Sequence, residues 1–179
     1  MPVAKTKTIY PVTLAEAKRH LRIDADYDDE NDYIRSVIKA ATLEAENYIG
    51  KDIAYTSNVA SLFDFSGDTI TLREGNVIEV TEVITDTSVS ASIGVARIYD
   101  NYTKILLTET INSTTDYTPM QVKYTSGYGE DDCPLEIQQA ILIKIANMFD
   151  VNREDATPGY MKEGFASNNL LNPHKIILW

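Results

Sequence analysis

The stretch Val12–Gly50, VTLAEAKRHLRIDADYDDENDYIRSVIKAATLEAENYIG, decides how the rest of the chain must be read. It predicts a short helix, an acidic turn and a long amphipathic helix. Thr13 followed by Glu16 has the spacing of a capping box, in which the hydroxyl accepts from the amide three residues on and the carboxylate reaches back. The first helix is expected over Leu14 to about Arg22, with Leu14, Ala17 and Leu21 on one side. The run Asp24-Ala25-Asp26-Tyr27-Asp28 breaks it. A second helix is expected from near Asp28 or Asp29, because clustered carboxylates favour the positive end of a helix. Ile34, Val37, Ile38, Ala41, Ala45, Tyr48 and Ile49 then recur at helical spacing and fall on one face. Gly50 stands where a left-handed C-cap is wanted. The rest of the chain is needed to cover that apolar stripe.

The totals narrow the class. A length of 179 residues suits one domain, or one domain with an inserted lobe. The 44% hydrophobic content is that of an ordinary globular protein. No apolar run approaches the ~18 residues of a membrane span, and MPVAKTKTIYPV lacks the apolar centre of a signal peptide. The single cysteine, Cys133, excludes an internal disulfide and fits a reducing compartment. With 16 Lys and Arg against 27 Asp and Glu, the net charge is −11. Affinity for phosphate backbones comes from basic side chains that release counterions, so this balance argues against a DNA-gripping protein. It suits a surface that DNA passes without sticking, although solubility is the plainer reading.

On the N-terminal side of the helical stretch, Met1 to Pro11 reads as extended, because Pro11 disfavours helix at Tyr10. On the other side, from Lys51 to about Thr125, helical periodicity gives way to short β patterns: Val59–Phe65, Thr69–Arg73, Val77–Thr85, Val95–Tyr99, Thr103–Thr108 and Met120–Thr125. Turn signals separate them at Ser66-Gly67-Asp68, Glu74-Gly75-Asn76 and Asp100-Asn101-Tyr102, with polar loops at Asp86–Ser92 and Asn112–Asp116. Such alternation predicts antiparallel strands with one wet face. Helix returns after Pro134 and is apolar almost all round, from Leu135 through Ile137, Ala140, Ile141, Leu142, Ile143, Ile145 and Ala146 to Phe149. Such a helix should be central, or shared with a neighbouring subunit. Turns are expected at Thr157-Pro158-Gly159 and Gly164, then a short helix over Ala166–Asn172. The sequence ends Ile176-Ile177-Leu178-Trp179, which must pack on its own core or dock on a partner.

Sites for chemistry are sparse. Asp24, Asp26 and Asp28 start like a calcium loop, but the sixth position is Asp29 instead of Gly, and the twelfth is Arg35 instead of Glu. Gly127-Tyr128-Gly129 hints at a phosphate loop, but a third glycine is missing and Asp131 and Asp132 would repel a pyrophosphate. Cys133 lies just before a helix, a position that can lower a thiol pKa. His20 and His174, the only histidines, assemble no triad with it and no zinc site. Glu44/Glu46 and Asp131/Asp132 are paired only because the chain is acidic, and they carry no glycosidase signal. The expectation is no catalytic residue, no metal and no cofactor. Tyr99, Tyr102, Tyr117, Tyr124 and Tyr128 in or beside the β region suit an interface, or simply strands.

Taken in order, these residues resemble a known family. Val12-Thr13-Leu14, Glu16-Ala17-Lys18 and Leu21-Arg22-Ile23-Asp24 are followed by Tyr33-Ile34, Ala40-Ala41 and Tyr48-Ile49-Gly50-Lys51. Ile70, Leu72, Val77, Val80 and Val83 fit in between. Later come Val122, Tyr124-Thr125-Ser126-Gly127-Tyr128-Gly129, Pro134-Leu135, Ile137, Ala140-Ile141-Leu142 and Asn152-Arg153-Glu154. The pattern is similar to head–tail connector (head-completion, or adaptor) proteins of tailed phages and prophages, in a long form with a β insertion. It is carried by order and spacing, not by one motif, and is weakest over Asp86–Ala96 and after Ala156.

The resemblance implies a non-enzymatic virion protein at the head–tail junction, with assembly in the host cytoplasm. It implies partners: the portal protein, a tail or stopper protein, and other copies in a homo-oligomeric ring, dodecameric in the virion. DNA would pass through without specific binding, and no membrane is involved. Leu170, Leu171, Ile176, Ile177, Leu178 and Trp179 would be the portal-docking tail. Ile34, Val37, Ile38, Ala41, Tyr48, Ile137, Ile141, Ile145 and Phe149 would build the subunit core and ring contacts. The expected fold is α+β: a small helical bundle from residues 1–52 and 130–179, with an antiparallel β lobe inserted over 53–129. A tail-side completion protein is the alternative within the structural class; a small enzyme or binding module is the alternative outside it.

Overall fold

A computed structural model describes residues 1–72, 75–85, 91–99, 102–111, 119–129, 132–151 and 165–176, without the side chains of 150, 151 and 165. The expected turns at Glu74, Asp100-Asn101 and Thr157–Gly159, the loop Asn112–Asp116, most of the loop Asp86–Ser92, and Asn152–Glu154 lie outside these residues. The fold is α+β; the described residues form four α-helices and two antiparallel sheets. It divides into two compact units, one of residues 1–9 and 54–128, the other of 10–53 and 129–179. The first nine residues therefore depart from the expected partition: extended as anticipated, they belong with the sheets and not with the helices. The reason is main-chain pairing, since β1 (Val3–Ile9) lies antiparallel along β2 (Tyr55–Leu62), from Val3 opposite Ala60 to Ile9 opposite Tyr55.

In the helical unit, α1 (Leu14–Leu21) starts as the sequence requires. The Thr13 hydroxyl accepts from the Glu16 amide at 3.2 Å, and the Thr13 amide donates to Glu16 Oε2 at 2.8 Å. The Thr13 amide, and after it the Thr13 hydroxyl, which also donates to Glu16 Oε2 at 2.7 Å, hold the Glu16 carboxyl below its ordinary range. The sign follows: the bonded, ionised form stabilises the fold above the ordinary glutamate pKa, and this contribution is lost as pH falls through the lowered native value. Thr13→Ala is expected to cost about 1 kcal/mol at neutral pH. Because the Thr13 amide survives in that variant, the pH test uses Glu16→Ala, whose melting gap to wild type should narrow as pH falls below the ordinary glutamate range; a pH-independent gap would refute the ionised cap.

The acidic turn delays α2 (Asn31–Ile49) by a few residues relative to the expected start. Ile34, Val37, Ile38, Ala41, Ala45 and Ile49 form its buried stripe, and Gly50 caps it at φ 78°. α3 (Leu135–Val151) buries Ile137, Ala140, Ile141, Ile145 and Phe149, but Leu142, Ile143 and Ala146 are half-buried and Leu135 is 71% exposed. It is thus a one-sided helix, not one enclosed all round. A short α4 (Phe165–Leu171) continues into a 3-10 turn at Asn172–His174.

In the β unit, β2 pairs with β7 (Met120–Ser126), and β7 with β4 (Val77–Ile84), giving the sheet order β1-β2-β7-β4. A second sheet has the order β3-β6-β5, from β3 (Gly67–Leu72), β6 (Thr103–Ile111) and β5 (Ile93–Ile98). Successive strands β2 and β3 therefore part into different sheets. Alternation puts Met120, Val122, Tyr124 and Ser126 of β7 inside and leaves Gln121, Lys123 and Thr125 half-wet. Ile70, Leu72, Ile105 and Leu107 from the second sheet join Ala60, Val83, Met120, Val122 and Tyr124 from the first in one apolar core.

Candidate interaction surfaces

Burial sorts the expected site residues. Ile34, Val37, Ile38, Ala41, Ile137, Ile141, Ile145 and Phe149 are all buried within the helical unit, so these side chains are core. That placement corrects their second expected use, since a fully enclosed side chain offers no surface to a ring neighbour. Tyr48 is different. It is half-buried, its hydroxyl bonds Asn172 Oδ1 at 2.6 Å, and Lys175 Nζ lies 4.7 Å from its ring centroid. The Ile176 amide donates to the Ile49 carbonyl at 2.8 Å. Tyr48 and Ile49 thus clasp the chain as it leaves the 3-10 turn.

Of the expected docking tail, Leu171 is fully buried and is a core residue, a correction with the same physical reason. Leu170 is half-buried, and Ile176 is half-buried and held by its amide. Ile177, Leu178 and Trp179 lie outside the described residues.

Two buried lysines matter that sequence reading passed over. Lys18, only 5% exposed, points its ammonium into the acidic turn, donating to the carbonyls of Ala25 at 3.0 Å and Tyr27 at 2.7 Å and meeting Asp28 Oδ1 at 3.4 Å. The turn that begins like a calcium loop directs its oxygens at a cation supplied by its own helix. Asn31, and after it Lys18, keep the Asp28 carboxyl below its usual range. Among the described residues no group of three or more His, Cys, Asp or Glu could hold a metal ion. Lys18→Ala should destabilise by about 2 kcal/mol, because it strips two carbonyls of their donor. Millimolar calcium should leave the wild-type melting temperature unchanged; a clear rise would make the turn a metal site.

Lys144, 3% exposed in the otherwise apolar α3, bonds Glu44 Oε1 at 2.6 Å and Asn168 Oδ1 at 3.4 Å. It ties α3 to α2 and α4. A lone lysine in an apolar run was the available signal, since a buried ammonium requires partners. Cys133 goes the other way from its expectation. It is buried, and burial pushes its thiol up to about 12. Desolvation of a thiolate outweighs the helix position. At Gly129 the Asp132 carboxylate lies 2.8 Å from where a Cβ would stand, so this turn already holds an anion against its backbone.

Exposed apolar side chains are numerous on the β unit: Phe63, Ile78, Val95, Ile98, Tyr99 and Leu106 are each 40–46% exposed. Tyr99 and Tyr102 stack with centroids 4.6 Å apart at the end of the β5–β6 pair. No described helix is long and apolar enough to cross a membrane.

Residues 11–85 match the family of phage gp6-like head–tail connector proteins. No curated protein matches the chain by sequence. Among solved structures, a chain from the neck of an empty gene transfer agent (GTA) particle in C6 symmetry is similar, with TM-score 0.76 and 18% identity over 100% of this chain and 97% of that one. A chain from the native GTA virion gives TM-score 0.73 at 19% identity, and one from the native neck in C12 symmetry gives 0.70 at 18%, with the same coverage of both chains. The fold of the whole chain is thus shared with these neck and virion chains.

Proposed function

We propose that the protein forms a ring between the portal and the tail of a phage-like particle and extends the DNA channel there. The observation that carries this reading is the likeness to neck chains over 100% of this chain, joined to the connector-family match over residues 11–85. The neck structures were obtained with C6 and C12 symmetry, which favours a ring for this chain as well. In such a ring each contact joins two different surfaces of identical subunits. The net charge of −11 suits a conduit, because fixed negative charge keeps DNA from adhering to the wall. The portal is engaged by the segment beyond the Tyr48 clasp, Ile177 to Trp179, with Leu170 as accessory. Assembly takes place in the host cytoplasm, and the finished protein resides in the virion.

The test is mass in solution, for the protein alone and then with the portal of its particle. A ring, or a monomer that joins only the portal, is the expected result. A closed dimer indifferent to the portal would overturn the reading. DNA binding should be weak and insensitive to salt.

A further inference from the structure

We propose that the outer face of the β3-β6-β5 sheet docks on the acidic turn between α1 and α2 of the next copy in the ring. The inference rests on the ring reading above. Cross-strand register defines the face. Val95 lies opposite Leu106, Arg97 lies opposite Lys104, and Tyr99 stacks on Tyr102 at the end of the pair. These rows are two residues apart, so their side chains share one side of the sheet. The alternate residues Ile70, Leu72 and Ile105 belong to the core. On the outer side Val95, Tyr99 and Leu106 are 40–46% exposed, and Arg97 and Lys104 are exposed with them. Two cations directly opposite each other repel. Among the described residues no carboxylate stands in these rows, and no ion pair reaches Arg97 or Lys104, whereas Lys123 of the other sheet is paired with Glu82. Lys104 instead lies 5.8 Å from the centroid of the Tyr102 ring. The turn residue Asp100 is outside the described residues.

Charge complementarity selects the occupant. Asp24, Asp26 and Asp29 are exposed. The ion pairs of this turn, Lys18 with Asp28 and Arg35 with Asp32, leave all three without a cation among the described residues. Tyr27 stands among them, 44% exposed. From inside, Lys18 holds the carbonyls of Ala25 and Tyr27, so the backbone of the turn is fixed while these carboxylates face solvent. A surface ordered in advance gives up little entropy on docking. One surface thus offers two unpaired cations beside aromatic and aliphatic side chains, and the other offers three unpaired carboxylates beside a tyrosine. They are different surfaces of one chain, so the contact is heterologous, as ring closure requires. DNA is the poorer occupant, because two cations in a chain of net charge −11 release few counterions.

The test reverses each surface in the full chain. One variant carries Arg97→Glu and Lys104→Glu, the other Asp24→Lys, Asp26→Lys and Asp29→Lys. All five positions are exposed, and melts check that both variants fold. Ring formation is read by mass, alone and on the portal, beside wild type. Each variant by itself is expected to lose ring formation at least about tenfold, because like charges then meet across the contact. An equimolar mixture of the two is expected to restore it, since every sheet face then finds a turn of opposite charge. An unchanged yield for the Arg97/Lys104 variant overturns the proposal; if that variant also retains less of a labelled DNA oligonucleotide than wild type, the face serves DNA. Loss that the mixture does not rescue overturns it too, because the face then meets some other surface. No wild-type ring in either setting removes the ring reading and this inference with it. Should a variant fail to fold, carbodiimide coupling of the wild-type ring decides. Lys104 is expected to be joined to a carboxylate of residues 24–29 in another chain, and a ring that yields no such link between chains overturns the docking.

Discussion

Ile141→Asp is expected to unfold the helical unit. Ile141 is fully buried on α3, in the same stripe as Ile137, Ala140 and Ile145. The carboxylate would gain no cation there, because the ammonium of Lys144 already serves Glu44 and Asn168. An unpaired buried charge costs several kcal/mol even when the group neutralises itself by taking up a proton. Removing the isoleucine adds a further ~2 kcal/mol or more of lost burial and packing. Domain stability is only about 5–15 kcal/mol, so little or none remains. Circular dichroism should show loss of helix, or the variant should be insoluble. Leu135→Asp, at a position 71% exposed on the same helix, should melt like wild type. A folded Ile141→Asp protein with an unchanged melt would mean that α3 does not hold the unit together.

Removing Ile177, Leu178 and Trp179 is expected to leave folding intact and weaken portal binding at least about a hundredfold. The cut falls after the clasp, so the Ile176–Ile49 bond and the Tyr48–Asn172 bond both survive. Leu171, fully buried, also stays. An aromatic anchor with aliphatic neighbours is the type of side chain that dominates an interface, and a hundredfold corresponds to about 3 kcal/mol. The melt and the mass with the portal are the two readouts. Loss of soluble protein would make the tail part of the core. Full portal binding would move the docking surface elsewhere.

Local chemistry made much of the fold legible. The capping box at Thr13, the stripe from Ile34 to Ile49, the left-handed Gly50 and the alternation in β7 each depend on residues close in sequence, and each stands where the sequence places it. The order of helices and strands, and with it the α+β class, follows from the same periodicities. Three other features depend on contacts between distant residues, which periodicity does not encode. The pairing of β1 with β2 moves the first nine residues from the helices to the sheets. The meeting of Lys144 with Glu44 and Asn168 turns an apolar helix into one with a buried cation. Burial raises the Cys133 thiol where helix position alone argues for lowering it.

The candidate surfaces divide in the same way. Sequence alone determined that the chain is acidic, poor in catalytic groups and apolar at Ile176–Trp179. Only tertiary structure decided that Leu171 is core and that Tyr48 is a clasp. It also decided that β5 stays wet on both faces, because exposure is set by which strands cover which, and partners far apart in the chain make that choice.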